Sequence, residues 1–194
     1  MGMTYVLRRA TPNQLALLRT RPMLLERFLF DEPREAAVEA TGLMDHLRAN
    51  FRFSARPEPI GSPREDGDEV ALDKSWHLMH FLLTGSGDET DSATSFLLGD
   101  WPEIGDVEIG WGRAWAIDAD GVRRFHQALG EVDEIELCAR FDTAEMMAQD
   151  IYLADAFEGD ERGGCNYVLF HLATLRTFVA EASERGCGAI GYLT

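Results

Sequence analysis

A single α+β domain is the fold class this sequence predicts. Three observations predict it: a strand-like segment near the start, another at residues 189–193, and between them several segments whose apolar residues recur at helical spacing. We expect a small mixed sheet that includes both terminal strands and packs against several helices. The length of 194 residues suits one domain, residues 1–194. A chain of that size buries roughly 70% of its unfolded surface and needs no staples to hold a core.

Taken in order, Met3 to Arg8 contains Tyr5, Val6 and Leu7 and reads as the first strand. Thr11-Pro12 supplies an N-cap followed by proline at the first helical position, with Leu15, Leu18 and Leu17 inward. A second helix begins near Pro22, with Leu24, Leu25, Phe28 and Leu29 apolar, and a third spans 34–49. Residues 54–69 hold three prolines, two glycines and seven charges, the composition of a surface loop. The stretch "LDKSWHLMHFLLTG", 72–85, reads as a helix. "IGWGRAWAI", 109–117, reads as extended structure with a turn at its glycines. Asp118 caps the next helix, with Val122, Phe125 and Leu129 on one face, and Asp142 caps another through Met146 towards Ile151 and Tyr152. The last helix carries Val168, Leu172, Leu175, Val179 and Ala182 at the 3.6 period and stops at Gly186. "AIGYL" closes the sheet.

The net charge of −16 opposes binding to nucleic acid or to anionic membrane, both of which select basic surfaces. It favours a soluble acidic protein or a basic protein partner. No apolar run approaches the roughly 18 residues of a membrane span, and the first residues lack a signal-peptide core. A cytoplasmic location is expected, with Cys138, Cys165 and Cys187 as reduced thiols, since none is paired at close spacing and their number is odd. Lys74 is the only lysine among 18 basic residues, a bias typical of a GC-rich, bacterial genome.

Motifs for phosphate loops, dinucleotide binding, nucleophile elbows and zinc hydrolases are absent, so no catalytic residue and no cofactor is assigned. "AIDADGVRRFHQ" lacks the first and twelfth ligands of a calcium loop and is read as a helix N-cap.

Functional interest centres on the 72–85 helix. At 100° per residue, Asp73, Trp76, His77, His80 and Thr84 fall in one stripe about 100° wide, with apolar residues on both sides. Such a helix is buried, and its polar stripe faces either an internal hydrogen-bond network or a cleft. Three readings compete: a structural histidine and a core tryptophan, a ligand pocket, or a metal site. The last lacks a third ligand, so no metal is expected. Lys74 in the first turn opposes the helix dipole, which points to an ion pair or an anionic ligand. Trp111 and Trp115 are core or pocket-lining aromatics. His46 and His126 are exposed or at rims, and His171 is half-buried.

The blocks "GMTY", "LDKSWHLMHFLLTG", "LLGDWPEIGDVEIGWGRAWAIDADGV" and "FDTAEMMAQDIY", in that order before a long closing helix, resemble the YfbM-like family of bacterial proteins of unknown function. The matching positions are Asp73, Lys74, Trp76, His80, Leu83, Thr84 and Gly85, the turn Gly110, Trp111 and Gly112, and the pair Ile151 and Tyr152. Trp111 stands where the family usually has tyrosine, and Leu153 where it usually has proline. The resemblance implies one α+β domain and no established activity or cofactor.

Two functional readings follow. One is a non-enzymatic binding or interaction protein with a basic protein partner. The other is an enzyme or small-ligand sensor. In it, His80 would act as base or donor, Lys74 would hold an anionic small ligand, and Trp76, Trp111 and Tyr152 would form walls.

Overall fold

The computed structural model describes residues 2–30 and 67–194. The expected helix at 34–49, His46 and most of the expected loop at 54–69 lie outside the described residues.

Five strands form one sheet. They are β1 (Tyr5–Ala10), β2 (Glu69–Ala71), β3 (Glu103–Ile109), β4 (Gly112–Ile117) and β5 (Gly188–Leu193), in the spatial order β2-β1-β5-β4-β3. Among the described residues every ladder is antiparallel, so the sheet is antiparallel there rather than mixed. The two terminal strands pair with each other at its centre, Tyr5 opposite Leu193 through Ala10 opposite Gly188. Beyond the ladder, Thr4 and Thr194 exchange reciprocal backbone bonds of 2.8 and 2.9 Å.

Among the described residues the α-helices are α1 (Pro12–Thr20), α2 (Leu25–Phe30), α3 (Trp76–Thr84), α4 (Ala119–Gly130), α5 (Glu134–Ala139), α6 (Thr143–Ala148) and α7 (Glu161–Glu184). Thr11 closes a full capping box with Gln14 at the start of α1. Asp118 and Asp142 cap α4 and α6 as their sequence positions predict. Leu153, held at φ 73°, sits in a conformation closed to the proline that the family resemblance expects there, because a proline ring fixes φ near −65°.

All six residues of β1 are buried because the sheet is covered on both faces. Tyr5 and Leu7 point into a large core formed with α3, α4 and α7, whereas Val6 and Ala10 join Leu15, Leu18, Leu25 and Phe28 beneath α1 and α2. Two arginines share this buried strand. The Arg8 guanidinium lies 4.7 Å from the centre of the Phe28 ring and donates to Leu29 O. Arg9 pairs with Asp68 and Glu181.

The cysteines correct the sequence reading. Cys138 on α5 and Cys165 on α7 are joined in a disulfide, with Cα atoms 5.6 Å apart and a sequence separation of 27. The packing of two distant helices makes this pair, which sequence spacing does not reveal. Cys187 is free and buried.

Candidate functional site

The stripe divides into two parts. Asp73 and Lys74 do not lie on α3 as the helical wheel placed them. Asp73 takes a left-handed conformation, φ 46°, and the helix begins only at Trp76. Lys74 therefore lies in a turn ahead of the helix. Trp76, His77, His80 and Thr84 lie on α3 itself.

Within the helix, both histidines face the following loop. His80 has no exposed surface, and its Nε2–H donates to Asp88 O at 2.9 Å. Its Nδ1 is buried without a hydrogen-bond partner among the described residues. His77 receives the Tyr152 N–H on Nδ1 at 2.9 Å, which leaves the proton on Nε2 to bond Gly87 O, also at 2.9 Å. Both ring nitrogens of His77 are thus spent on backbone. Thr84 donates to His80 O at 2.8 Å and receives Ser86 N–H at 3.2 Å. The two histidines clamp the 86–88 loop onto α3, and His77 also fixes the 150–153 segment.

Trp76 is 6% exposed. Its ring stacks on His77 at 4.9 Å and on Tyr152 at 6.1 Å, and its Nε1–H donates to Met3 O at 3.3 Å. Tyr152 OH accepts Met3 N–H at 3.1 Å. Gly2 lies so close to the Lys74 stem and the Tyr152 hydroxyl that a Cβ there would collide with both. The N-terminal strand entry is therefore seated on the aromatic pair.

Outside that pair, Tyr167 on α7 donates to Asp73 at 2.8 Å and accepts Lys74 N–H at 3.2 Å. Burial, followed by the Asp73 hydrogen bond and charge, pushes the Tyr167 phenol up to about 12. The half-buried His171 ring meets Tyr167 edge-on at 4.9 Å. Sequence reasoning missed Tyr167, because on the α7 wheel it falls beside the apolar stripe and only folding brings it to Asp73. Trp111 is 57% exposed at the β3–β4 turn, where its backbone N–H donates to Leu193 O at 2.9 Å. Trp115 is half-buried and donates to Tyr5 OH at 3.2 Å. No group of three or more His, Cys, Asp or Glu side chains among the described residues is placed to hold a metal.

Burial holds both His77 and His80 below the ordinary histidine value of 6.5, and the carbonyls they face only partly offset it. The folded protein then binds fewer protons than the unfolded chain in the window just below pH 6.5, so stability rises with pH there. We expect the urea midpoint to hold steady above that value and to fall as the pH drops towards the lowered native values. His80→Asn should flatten the fall. A wild-type midpoint that rises between pH 7 and pH 5 would contradict neutral, buried rings.

A model of the family described as a domain of unknown function (DUF1877) matches residues 1–192. Among solved structures, a protein of unknown function, YfbM from Escherichia coli, superimposes with a TM-score of 0.60 at 14% identity, covering 98% of this chain and 99% of that chain. At that identity the likeness shows the fold. A comparison with curated proteins finds no match. Among the described residues no helix is long and apolar enough to cross a membrane.

Proposed function

The chain belongs to the YfbM-like DUF1877 family, and from that premise we propose a non-enzymatic binding protein. Its recognition surface is the outer end of the stripe, around Lys74, Asp73, Tyr152 and Tyr167. The observation that carries this reading is Lys74. It is the only lysine of the chain and half-buried, and its ammonium has no ion-pair or hydrogen-bond partner among the described residues. Its stem lies against Gly2, which also neighbours the Tyr152 hydroxyl.

Backbone strain supports the same location. Asp73, Asp150 and Leu153 are the three non-glycine residues with positive φ among those described, and they flank Lys74 and Tyr152. Such conformations cost on the order of 1–3 kcal/mol each and persist where surroundings impose them, as His77 does on the 150–153 segment. Binding is favoured over catalysis because His77 has no free ring nitrogen and His80 no route to solvent. An unpaired ammonium whose stem neighbours Gly2, close to the Tyr152 hydroxyl, suits a small anionic ligand, a carboxylate or a phosphate. The net charge of −16 favours a second reading, a basic protein partner bound in a salt-dependent way.

A thermal-shift screen against small carboxylates and phosphates at low ionic strength tests the first reading. At least one anion should raise the wild-type midpoint, and Lys74→Ala should remove that rise. Without ligand, Lys74→Ala should change stability by no more than about 0.5 kcal/mol, because the charge makes no ion pair to lose. A shift that survives in Lys74→Ala, or no shift with any anion, would sink the assignment.

A further inference from the structure

We propose that Cys138 is a thiol–disulfide exchange site for low-molecular-weight thiols that carry carboxylates, independent of the Lys74 surface. The disulfide to Cys165 lies against a groove of about 820 Å³ between α5 and α7, lined by Ile135, Ala139, Arg162, Asn166 and Leu169. That volume accommodates a molecule the size of a tripeptide.

The two sulfurs are not equivalent. Cys165 is 3% exposed, whereas Cys138 is only partly buried. Both cysteines line the groove, but Cys138 is the more exposed, so an incoming nucleophile reaches Cys138 first and Cys165 is the leaving group. The charges of the groove also differ in availability. Glu134 is paired with Arg176 at 2.8 Å, and Glu161 accepts from Thr143 at 3.2 Å. Arg162 has no partner among the described residues. Glu161 keeps its negative charge, since a hydroxyl does not neutralise it, and Arg162 is the basic group of the lining that suits a carboxylate on the incoming thiol.

The reaction balances without a further oxidant. An external thiolate attacks Cys138 Sγ, and a new sulfur–sulfur bond joins the small molecule to Cys138. The Cys138–Cys165 bond breaks, and Cys165 departs as a thiolate that takes a proton from water. The sulfur of the small thiol is oxidised as that of Cys165 is reduced. Return attack by Cys165 on Cys138 expels the small thiolate and restores the bond. Opening has a structural consequence, because α5 is six residues long and Leu137 is its only buried residue. The bond is the covalent tie that holds this short helix to α7. Cys187 lies outside the groove and takes no part.

Glutathione and its disulfide are the probe. Wild-type protein is equilibrated in glutathione buffers of graded ratio, quenched with an alkylating agent and mapped by peptide mass. The expected result is a reversible transition through a mixed disulfide located on Cys138. In single variants treated with glutathione disulfide, Cys165→Ser should be modified at Cys138 at least about tenfold faster than Cys138→Ser is modified at Cys165. Arg162→Ala should slow the former. Glutathione mapped to Cys165 in the wild type, equal rates in the two variants, or two free thiols under every oxidising ratio would each overturn the proposal. The wild-type measurement decides the matter even if a variant fails to fold.

Discussion

Trp76→Ala is expected to bring the protein close to unfolding. The ring is 6% exposed and packs against His77, Tyr152 and Tyr5 at centroid distances of 4.9, 6.1 and 6.2 Å. Removing a buried tryptophan typically costs about 3–5 kcal/mol, through lost burial and the cavity left behind. The whole domain has only about 5–15 kcal/mol of stability. The substitution also frees Met3 O, which loses its indole donor. Urea denaturation of the variant should show a large fall in midpoint with the slope unchanged. Trp76→Phe should recover most of the loss and fall short by about the 1 kcal/mol of a hydrogen bond. A Trp76→Ala protein that unfolds with the wild-type midpoint would mean that the ring does not hold the strand entry to α3.

The second large effect is expected at the β3–β4 turn. Gly110 stands at φ 62°, and a Cβ there would collide with Leu193 O and approach Thr194 Cα to 2.9 Å. A left-handed conformation costs a side-chain-bearing residue about 1–2 kcal/mol. Forcing atoms into occupied space costs about 1–3 kcal/mol more. Gly110→Ala should therefore destabilise by roughly 2–5 kcal/mol, lowering the melting temperature by roughly 5–15 °C for a chain of this size. Gly112, two residues on, has open space around its would-be Cβ. Gly112→Ala should stay within about 1 kcal/mol of wild type. Equal melting temperatures for the two variants would refute the close approach of the turn to the C-terminal strand.

Features decided within a few residues are legible in the sequence. The caps at Thr11, Asp118 and Asp142 depend on a side chain reaching a backbone N–H three residues away, so residue type and position suffice. The apolar period of α7 and the stop at Gly186, φ 61°, are legible for the same reason. By contrast, β2 is three residues inside a charged stretch and exists because β1 offers it an edge. α5, with one buried side chain, leaves no apolar period to read. In the candidate site, burial of Trp76 and His80 follows from the helical wheel, but their partners do not. Those partners are backbone groups of Met3 and Asp88, which any sequence would supply equally. The wheel also runs past the true helix start, because no propensity rule makes Asp73 adopt φ 46°. Its partners are Tyr167, 94 positions further along the chain, and the Tyr5 N–H, which bonds its carbonyl at 3.1 Å.

The pairing of β1 with β5 sets the order of events when the chain is made. The centre of the sheet joins residue 5 to residue 193, so the β2-β1 and β4-β3 halves cannot join until synthesis has passed Leu193. At about 5–20 residues per second, β1 waits roughly 10–40 s on the ribosome for its central partner. During that time Tyr5, Val6 and Leu7 form a short run of strongly β-prone residues with an open edge. Arg8 and Arg9 follow directly, two charges in a strand that is wholly buried once folded. In the unfinished chain they act as gatekeepers, because like charges oppose edge-to-edge association of nascent strands. The same guanidiniums that meet Phe28, Asp68 and Glu181 in the finished protein thus protect it from aggregation before those partners are in place.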